Sequence, residues 1–205
     1  MYTLYSMQQS GNAYKVRLAF NQLEIPFTLV NVDILRGENR TPDFLRKNPE
    51  GRIPLLEMRG RGYLAESNAI LCFIAEATAL FPDGRWERAE VLRWMFFEQN
   101  SHETYLAQPR FWLSIRGGAD LRRDHFDDWM ERGYAALMSM ERHLATAAWF
   151  AAGRYTIADI ALFAHTHVAG EGGFDLATFP NVLAWLDRVK AQPRHIGIDW
   201  VAEPP

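Results

Sequence analysis

The hydrophobic rhythm of this chain changes once along its length, and that change restricts its fold more than any other feature. Up to about Leu80, short apolar or β-branched runs alternate with helical periodicity; beyond it every apolar pattern is helical. Tyr2 to Tyr5 reads as a short strand, followed by the turn-rich run Gln9 to Asn12 and a helix from Tyr14 to Leu23 with Val16, Phe20 and Leu23 on one face. Phe27 to Val32 is a second strand. Thr41 and Pro42 open a short helix, with threonine as cap and proline pre-set at the first helical position, and it stops before Pro49. Ile53 to Met58 and Gly62 to Leu64 have the spacing of a hairpin around Arg59, Gly60 and Arg61, and Ser67 is expected to cap an apolar helix from Asn68 to Thr78. The order βαβαββα requires a mixed sheet with helices on its faces.

The Pro/Gly punctuation from Leu80 to Arg85 is the natural domain boundary, dividing the chain into an α/β domain over 1–79 and an all-helical domain over 86–205. In the second part, helices are expected from Trp86 to about Gln108, Asp124 to Thr146, Ile157 to about Ala169 and Asn181 to Ala191. Gly117 and Gly118 form a break, and an irregular tail starts at Pro193.

Composition removes several functional classes. Net charge is 22 − 25 = −3 over 205 residues, too mild and too mixed for a nucleic-acid or membrane surface. The single cysteine, Cys72, permits neither an intrachain disulfide nor a cysteine metal cluster. The start of the chain lacks the basic and apolar segments of a signal peptide, and no apolar run approaches the roughly 20 residues of a membrane span. A cytoplasmic location is the expectation.

Four local segments carry chemical or folding information. Ser10 to Phe20 places a serine at a turn feeding a helix, where Ser10 or Asn12 would also serve as a simple cap. Gly51-Arg-Ile-Pro54-Leu-Leu contains an X-Pro bond at the mouth of the hairpin; an ordinary trans bond opening a strand is the plain alternative. Leu64-Ala-Glu66-Ser67-Asn-Ala-Ile70 puts an acid and a serine side by side at a helix start. Gly153 to Ile160 contains Thr156 and Asp159 at capping-box spacing, with Tyr155 and Ile160 spaced as a hydrophobic staple; its role is in folding.

These segments, in this order, resemble the glutathione transferase family, in particular its serine-type theta, zeta and bacterial classes, over nearly the whole chain. The resemblance implies a thioredoxin-like first domain, a helical second domain and glutathione as co-substrate. It implies that Ser10 meets the sulfur, that Ile53 beside a cis Pro54 pairs its backbone with the cysteinyl unit, and that Glu66 and Ser67 take the γ-glutamyl ammonium and carboxylate. Arg52 would reach a cofactor carboxylate or lie in solvent. The chemistry suits a helix start: a thiol of pKa ~8.5 is mostly protonated at neutral pH. A helix N-terminus and a hydroxyl donor both favour its anion. Tyr5, at the end of the first strand, is the competing sulfur partner.

Positions 10 to 13 hold no Cys-x-x-Cys, so cysteine-based disulfide reduction is not expected. Zeta isomerases resemble the first helix but carry a cysteine where Asn12 stands. The run from His102 lacks the second histidine of a zinc motif, Leu106 standing in its place, and His165 and His167 are two apart, so no metal is expected. Tyr105, Phe111 and Trp112 would line an apolar second-substrate pocket or fill core. The expected function is conjugation of the glutathione thiolate to an electrophilic, mostly apolar small molecule by a homodimer. A non-catalytic ligand carrier or protein-interaction module of the same fold, and a zeta-like glutathione-dependent isomerase, are the alternatives.

Overall fold

The computed structural model describes residues 1–118 and 123–201. It separates into two compact units, residues 1–76 with the tail from Pro193, and residues 77–192. Sequence pattern placed that tail with the helical domain; it groups instead with the first unit, because its backbone carbonyls bond to side chains there.

In the first unit, β1 (Tyr2–Ser6), α1 (Gly11–Gln22), β2 (Phe27–Asn31), α2 (Pro42–Lys47), β3 (Leu55–Met58), β4 (Gly62–Ala65) and α3 (Ser67–Ile74) follow the expected βαβαββα order. The sheet runs β2-β1-β3-β4, with β1 parallel to β2 and antiparallel to β3, and β3 antiparallel to β4. Side chains alternate across β1. The Tyr2 ring meets Phe20 of α1 and Phe73 of α3, whereas Tyr5 meets Phe44 of α2. Helices therefore cover both faces, α1 and α3 on one and α2 on the other. This is the thioredoxin-like arrangement expected.

α1 begins at Gly11, earlier than its apolar periodicity suggested, and is buried along nearly its full length, including Lys15 and Arg17. These two charged residues are thus inside the unit.

The second unit is helical: α4 (Arg85–Phe97), α5 (Glu103–Arg110), α6 (Arg123–Leu144), α7 (Ile157–Thr166) and α8 (Pro180–Lys190). The single helix expected from Trp86 to Gln108 is α4 and α5 joined through a π-helical turn at Glu98–His102, and a second π turn follows at Phe111–Ile115. A π turn inserts one residue without breaking the helical run, so apolar spacing does not reveal it. Thr156 caps α7 in a complete capping box with Asp159, and α7 is buried throughout at the centre of this unit. Among the described residues no helix is long and apolar enough to cross a membrane.

Candidate functional site

Ser10 is the N-cap of α1. Its extended backbone (φ −72°, ψ 117°) lets its Oγ accept from the Ala13 N–H at 3.2 Å, and its own N–H closes the preceding turn on the Met7 carbonyl at 3.1 Å. Accepting that bond occupies an oxygen lone pair and leaves the hydroxyl proton for an outside acceptor. The cap and the sulfur-partner roles are therefore compatible at one oxygen.

Glu66 and Ser67 lie at the start of α3, with one change from the sequence reading. The N-cap is Glu66, which makes no side-chain capping bond, and Ser67 is the first helical residue. Glu66 is exposed and sits at φ 68°, ψ 112°, a region that non-glycine residues rarely occupy and that clusters at ligand sites. Ser67 is buried; its hydroxyl donates to Asn12 Oδ1 at 3.1 Å and accepts from Lys15 Nζ at 3.3 Å. The N-termini of α1 and α3 are thereby held side by side, each with N–H groups directed out of its first turn.

Pro54 is buried and the Ile53-Pro54 bond is cis, as the family resemblance implies. Leu55 pairs with Ala65, so Ile53 and Pro54 run beside Glu66 and Ser67. Among the described residues neither backbone group of half-buried Ile53 hydrogen-bonds within the chain. Arg52 is exposed, and its carbonyl accepts from Asn48 Nδ2 at 2.9 Å.

Tyr5 is differently placed. Its hydroxyl donates to Glu57 Oε2 at 2.7 Å and accepts from Lys47 Nζ at 2.5 Å, and burial raises its pKa. That hydroxyl is engaged on the α2 side of the sheet, opposite α1.

Lys15 and Asn12 were not singled out as site residues. A lysine in a helix ordinarily reads as solvated; the available signal was its place in the run from Ala13 to Phe20, apolar apart from Lys15 and Arg17. Nearby, burial lowers the Arg17 pKa to about 10, so its guanidinium remains charged at neutral pH. With these cations and two helix N-termini, the C-terminal end of β1 and β4 favours an anion, while the Glu66 carboxylate offers the opposite charge.

The second-substrate residues do not all line one cleft. Tyr105 lines a cleft of about 340 Å³ in the helical unit with Phe97, Ser101 and Arg132, and its hydroxyl accepts from Arg132 Nη1 at 3.3 Å. Phe111 and Trp112 lie outside that lining and pack edge to face at 5.6 Å. Also in this unit, Glu98, Glu103 and His165 bring potential ligand atoms within 4.8 Å of one another, a grouping that sequence spacing did not suggest. Each already has an interaction partner in the chain, which argues for a structural cluster.

Residues 1–76 match the N-terminal domain of glutathione S-transferases, and residues 123–188 match the C-terminal domain. The chain belongs to the glutathione S-transferase family. A solved structure of a possible glutathione S-transferase from Rhodopseudomonas palustris is 58% identical, covers 98% of this chain and 99% of its own, and superposes with a TM-score of 0.96. Among characterised relatives, a maleylacetoacetate isomerase of Rhizobium meliloti is 31% identical, over 96% of this chain and 92% of its own length. A disulfide-bond oxidoreductase of Escherichia coli is 28% identical over 89% of this chain and 87% of its own. The fold and family are common to these relatives, and the reactions their names give differ.

Proposed function

We propose that this family member binds glutathione on its first unit and transfers the glutathione thiolate to an electrophilic, mostly apolar small molecule. The observation that carries the reading is the pairing of the α1 and α3 N-termini through Asn12, Lys15 and Ser67, with the Ser10 hydroxyl proton still available. In this reading Glu66 and Ser67 hold the zwitterionic γ-glutamyl head, and the open backbone of Ile53 beside Pro54 pairs with the cysteinyl unit. Arg52 reaches toward a carboxylate. Ser10 donates to the sulfur.

The thiol proton leaves to solvent and the thiolate attacks carbon. A C–S bond forms, and the leaving group departs with the electron pair of the broken bond, or the opened ring oxygen takes up a proton. Lowering a thiol pKa by two units requires ~2.7 kcal/mol. One charge-assisted hydrogen bond, about 1.5–3 kcal/mol, with a helix terminus of about 0.3–1 kcal/mol, is sufficient. No metal is needed for that step.

The named relatives widen the choice of electrophile more than they change the site. A thiolate adding reversibly to a conjugated double bond would isomerise it, the reaction type suggested by the isomerase relative, although Asn12 occupies the position of the isomerases' cysteine. A thiolate attacking a disulfide sulfur would form a mixed disulfide that a second glutathione resolves, so the lack of a cysteine at the turn does not close that route. Tyr105, Phe111 and Trp112 remain the proposed apolar contacts for the second substrate, Tyr105 from within its cleft and Phe111 and Trp112 from beyond that lining. Trp86 (73% exposed) and Phe96 (70% exposed) on α4 offer the apolar surface for the proposed homodimer. No nucleic-acid or membrane partner is proposed, and the proposed location is cytoplasmic.

The test is thiolate absorbance on adding glutathione, followed by mass analysis of products from halogenated aromatics, epoxides, isothiocyanates, peroxides, a cis-enone and a mixed disulfide. Ionisation with conjugate formation is expected. Binding without ionisation would favour a non-catalytic carrier. Ionisation with only isomerised or reduced product would reassign the reaction while keeping the site.

A further inference from the structure

We propose that Arg17 is a positioning residue for Ser10, and that it works by clamping the Ser10 turn to the C-terminal tail. The inference rests on the reading of Ser10 as hydrogen-bond donor to the thiolate and adds what holds that donor in place. Arg17 lies seven residues after Ser10, two turns along α1 and therefore on the same side of the helix. Its side chain is fully buried.

Its four Nη hydrogens have four oxygen acceptors. Nη1 donates to Ser6 Oγ at 2.7 Å and to the Met7 carbonyl at 3.1 Å; Nη2 donates to the Gln8 carbonyl at 2.8 Å and to the Ile198 carbonyl at 3.1 Å. Three consecutive residues leading into the Ser10 turn are thus fixed by one planar group. The Met7 carbonyl accepts both from Arg17 and from the Ser10 N–H at 3.1 Å, so a single oxygen links guanidinium to cap.

The tail is the other jaw. Gln8 Nε2 donates to the Ile198 carbonyl at 2.7 Å and to the Trp200 carbonyl at 2.8 Å, and the Tyr14 hydroxyl donates to the Ile196 carbonyl at 2.7 Å. The Trp200 indole lies 6.4 Å from the Phe27 ring. The ionisable groups around the guanidinium are Tyr14, whose ring centroid is 5.9 Å from Arg17 Cζ, and Asp199, which acts on Tyr14. A guanidinium fits this task because its donors are rigidly splayed in one plane; an ammonium is a point donor that cannot reach both the turn and the tail in that geometry. Misplacing a catalytic donor by about an ångström lowers the rate severely without removing any contact to the substrate.

The test compares wild type with Arg17→Lys, Gln8→Ala, Ser10→Ala and the double variant Ser10→Ala/Arg17→Lys, reading glutathione affinity, the ionisation midpoint of the bound thiol and the pH–rate profile. Arg17→Lys should raise the midpoint and cut the neutral-pH rate about three- to tenfold, with glutathione affinity little changed and the loss recovered in alkali. Gln8→Ala, which loosens only the tail jaw, should shift the midpoint less and in the same direction; it also stands in if Arg17→Lys does not fold. In the Ser10→Ala background Arg17→Lys should add no further shift. Lowered thermal stability with an unmoved pH profile, for Arg17→Lys or for Gln8→Ala, would reduce the clamp to a structural contact and overturn the proposal. An additional shift in the double variant would show action by another route and overturn it too. If Ser10→Ala alone leaves the profile unmoved, the Ser10 reading fails and the clamp with it; if Ser10→Ala moves it and Arg17→Lys does not, only the clamp falls.

Discussion

Two helix starts in this molecule use the same kind of residue for opposite ends. Thr156 at α7 and Ser10 at α1 are both hydroxyl N-caps in extended backbone. At α7 the capacity is used up: Asp159 accepts from the Thr156 N–H, the Thr156 hydroxyl, the Phe150 N–H and the Trp185 indole, all within 3.3 Å and fully buried. At α1 the cap accepts one N–H bond, no acid stands in the first turn, and the residue is half-buried. A closed cap stabilises a fold, whereas an open one can bind. A capping motif read from sequence does not distinguish the two; the surrounding donors and acceptors do.

The largest expected effect breaks the closed end. Asp159→Ala orphans the backbone and indole donors in a dry interior and should destabilise the chain by about 3–5 kcal/mol in denaturant unfolding. In the folded fraction, the bound glutathione thiol should ionise as in wild type. A shift there would mean the two helix starts are coupled, against the comparison.

Next in size is the pH dependence of that same carboxyl. Burial raises the Asp159 pKa to about 6, against the lowering effect of its hydrogen bonds. Its folded value then lies above the unfolded value of about 3.9, so the folded state binds the proton more tightly. The stabilisation this group contributes is full below about pH 4 and is lost as the pH rises through about 6, a change of about 3 kcal/mol. Measured side by side from pH 4 to 7, the unfolding free energy of wild type should fall relative to that of the non-titrating Asp159→Asn by about 2 kcal/mol, the part of the change that lies in this range. Parallel curves would mean that the four donors, and not burial, set the ionisation.

How much of this was legible beforehand varies by element. The βαβαββα order and the α7 capping box rest on local spacing, and both appear where expected. Ser67 was displaced by one position, because a cap is defined by backbone conformation and Glu66 adopts a positive φ that its residue type does not announce. Lys15 and Arg17 carry no sequence signal of burial of their own, and only the packing of α1 shows them buried. The tail after Pro193 has no periodicity, yet it is anchored through its carbonyls, which every residue possesses and which leave no compositional trace. The π turns in the long helix were invisible for a related reason.

At the binding end, the Ser67 hydroxyl must turn its proton from Asn12 Oδ1 to the ligand carboxylate, so Ser67→Ala should weaken glutathione affinity by at most about 1.5–3 kcal/mol, the size of one charge-assisted bond, as read by calorimetry. Unchanged affinity would leave Ser67 as a tie between α1 and α3 through Asn12 and remove it from the ligand. Ser10→Ala should leave affinity nearly intact while raising the bound thiol's pKa by one to two units, roughly 1.4–2.7 kcal/mol. Loss of the cap should also cost about 1 kcal/mol of stability. Activity should fall most at neutral pH and recover in alkali, and Tyr5→Phe should do much less, since its hydroxyl is engaged by Glu57 and Lys47. The reverse pattern would move the catalytic assignment to Tyr5.

The smallest effect sharpens the comparison at a third helix start, α3, where the N-cap is not a hydroxyl residue. Glu66 makes no capping bond and holds φ 68°, a conformation that costs a non-glycine residue on the order of 1–3 kcal/mol. Glycine has no Cβ to clash in that backbone, but it adds roughly 0.4–1 kcal/mol of unfolded-state entropy that folding must overcome. The first quantity exceeds the second, so Glu66→Gly should stabilise the chain by about 1 kcal/mol, while Glu66→Ala, which keeps the strain, should not. Both substitutions delete the carboxylate proposed to accept from the γ-glutamyl ammonium, and both should weaken glutathione binding by similar amounts. The difference in stability between the two variants therefore reports backbone strain, and their shared loss of affinity reports the carboxylate. If Glu66→Gly is no more stable than Glu66→Ala, the positive φ carries no strain worth relieving. If both bind glutathione as wild type does, the Glu66 carboxylate takes no part in the ligand and Ser67 alone is left to represent this helix start in binding.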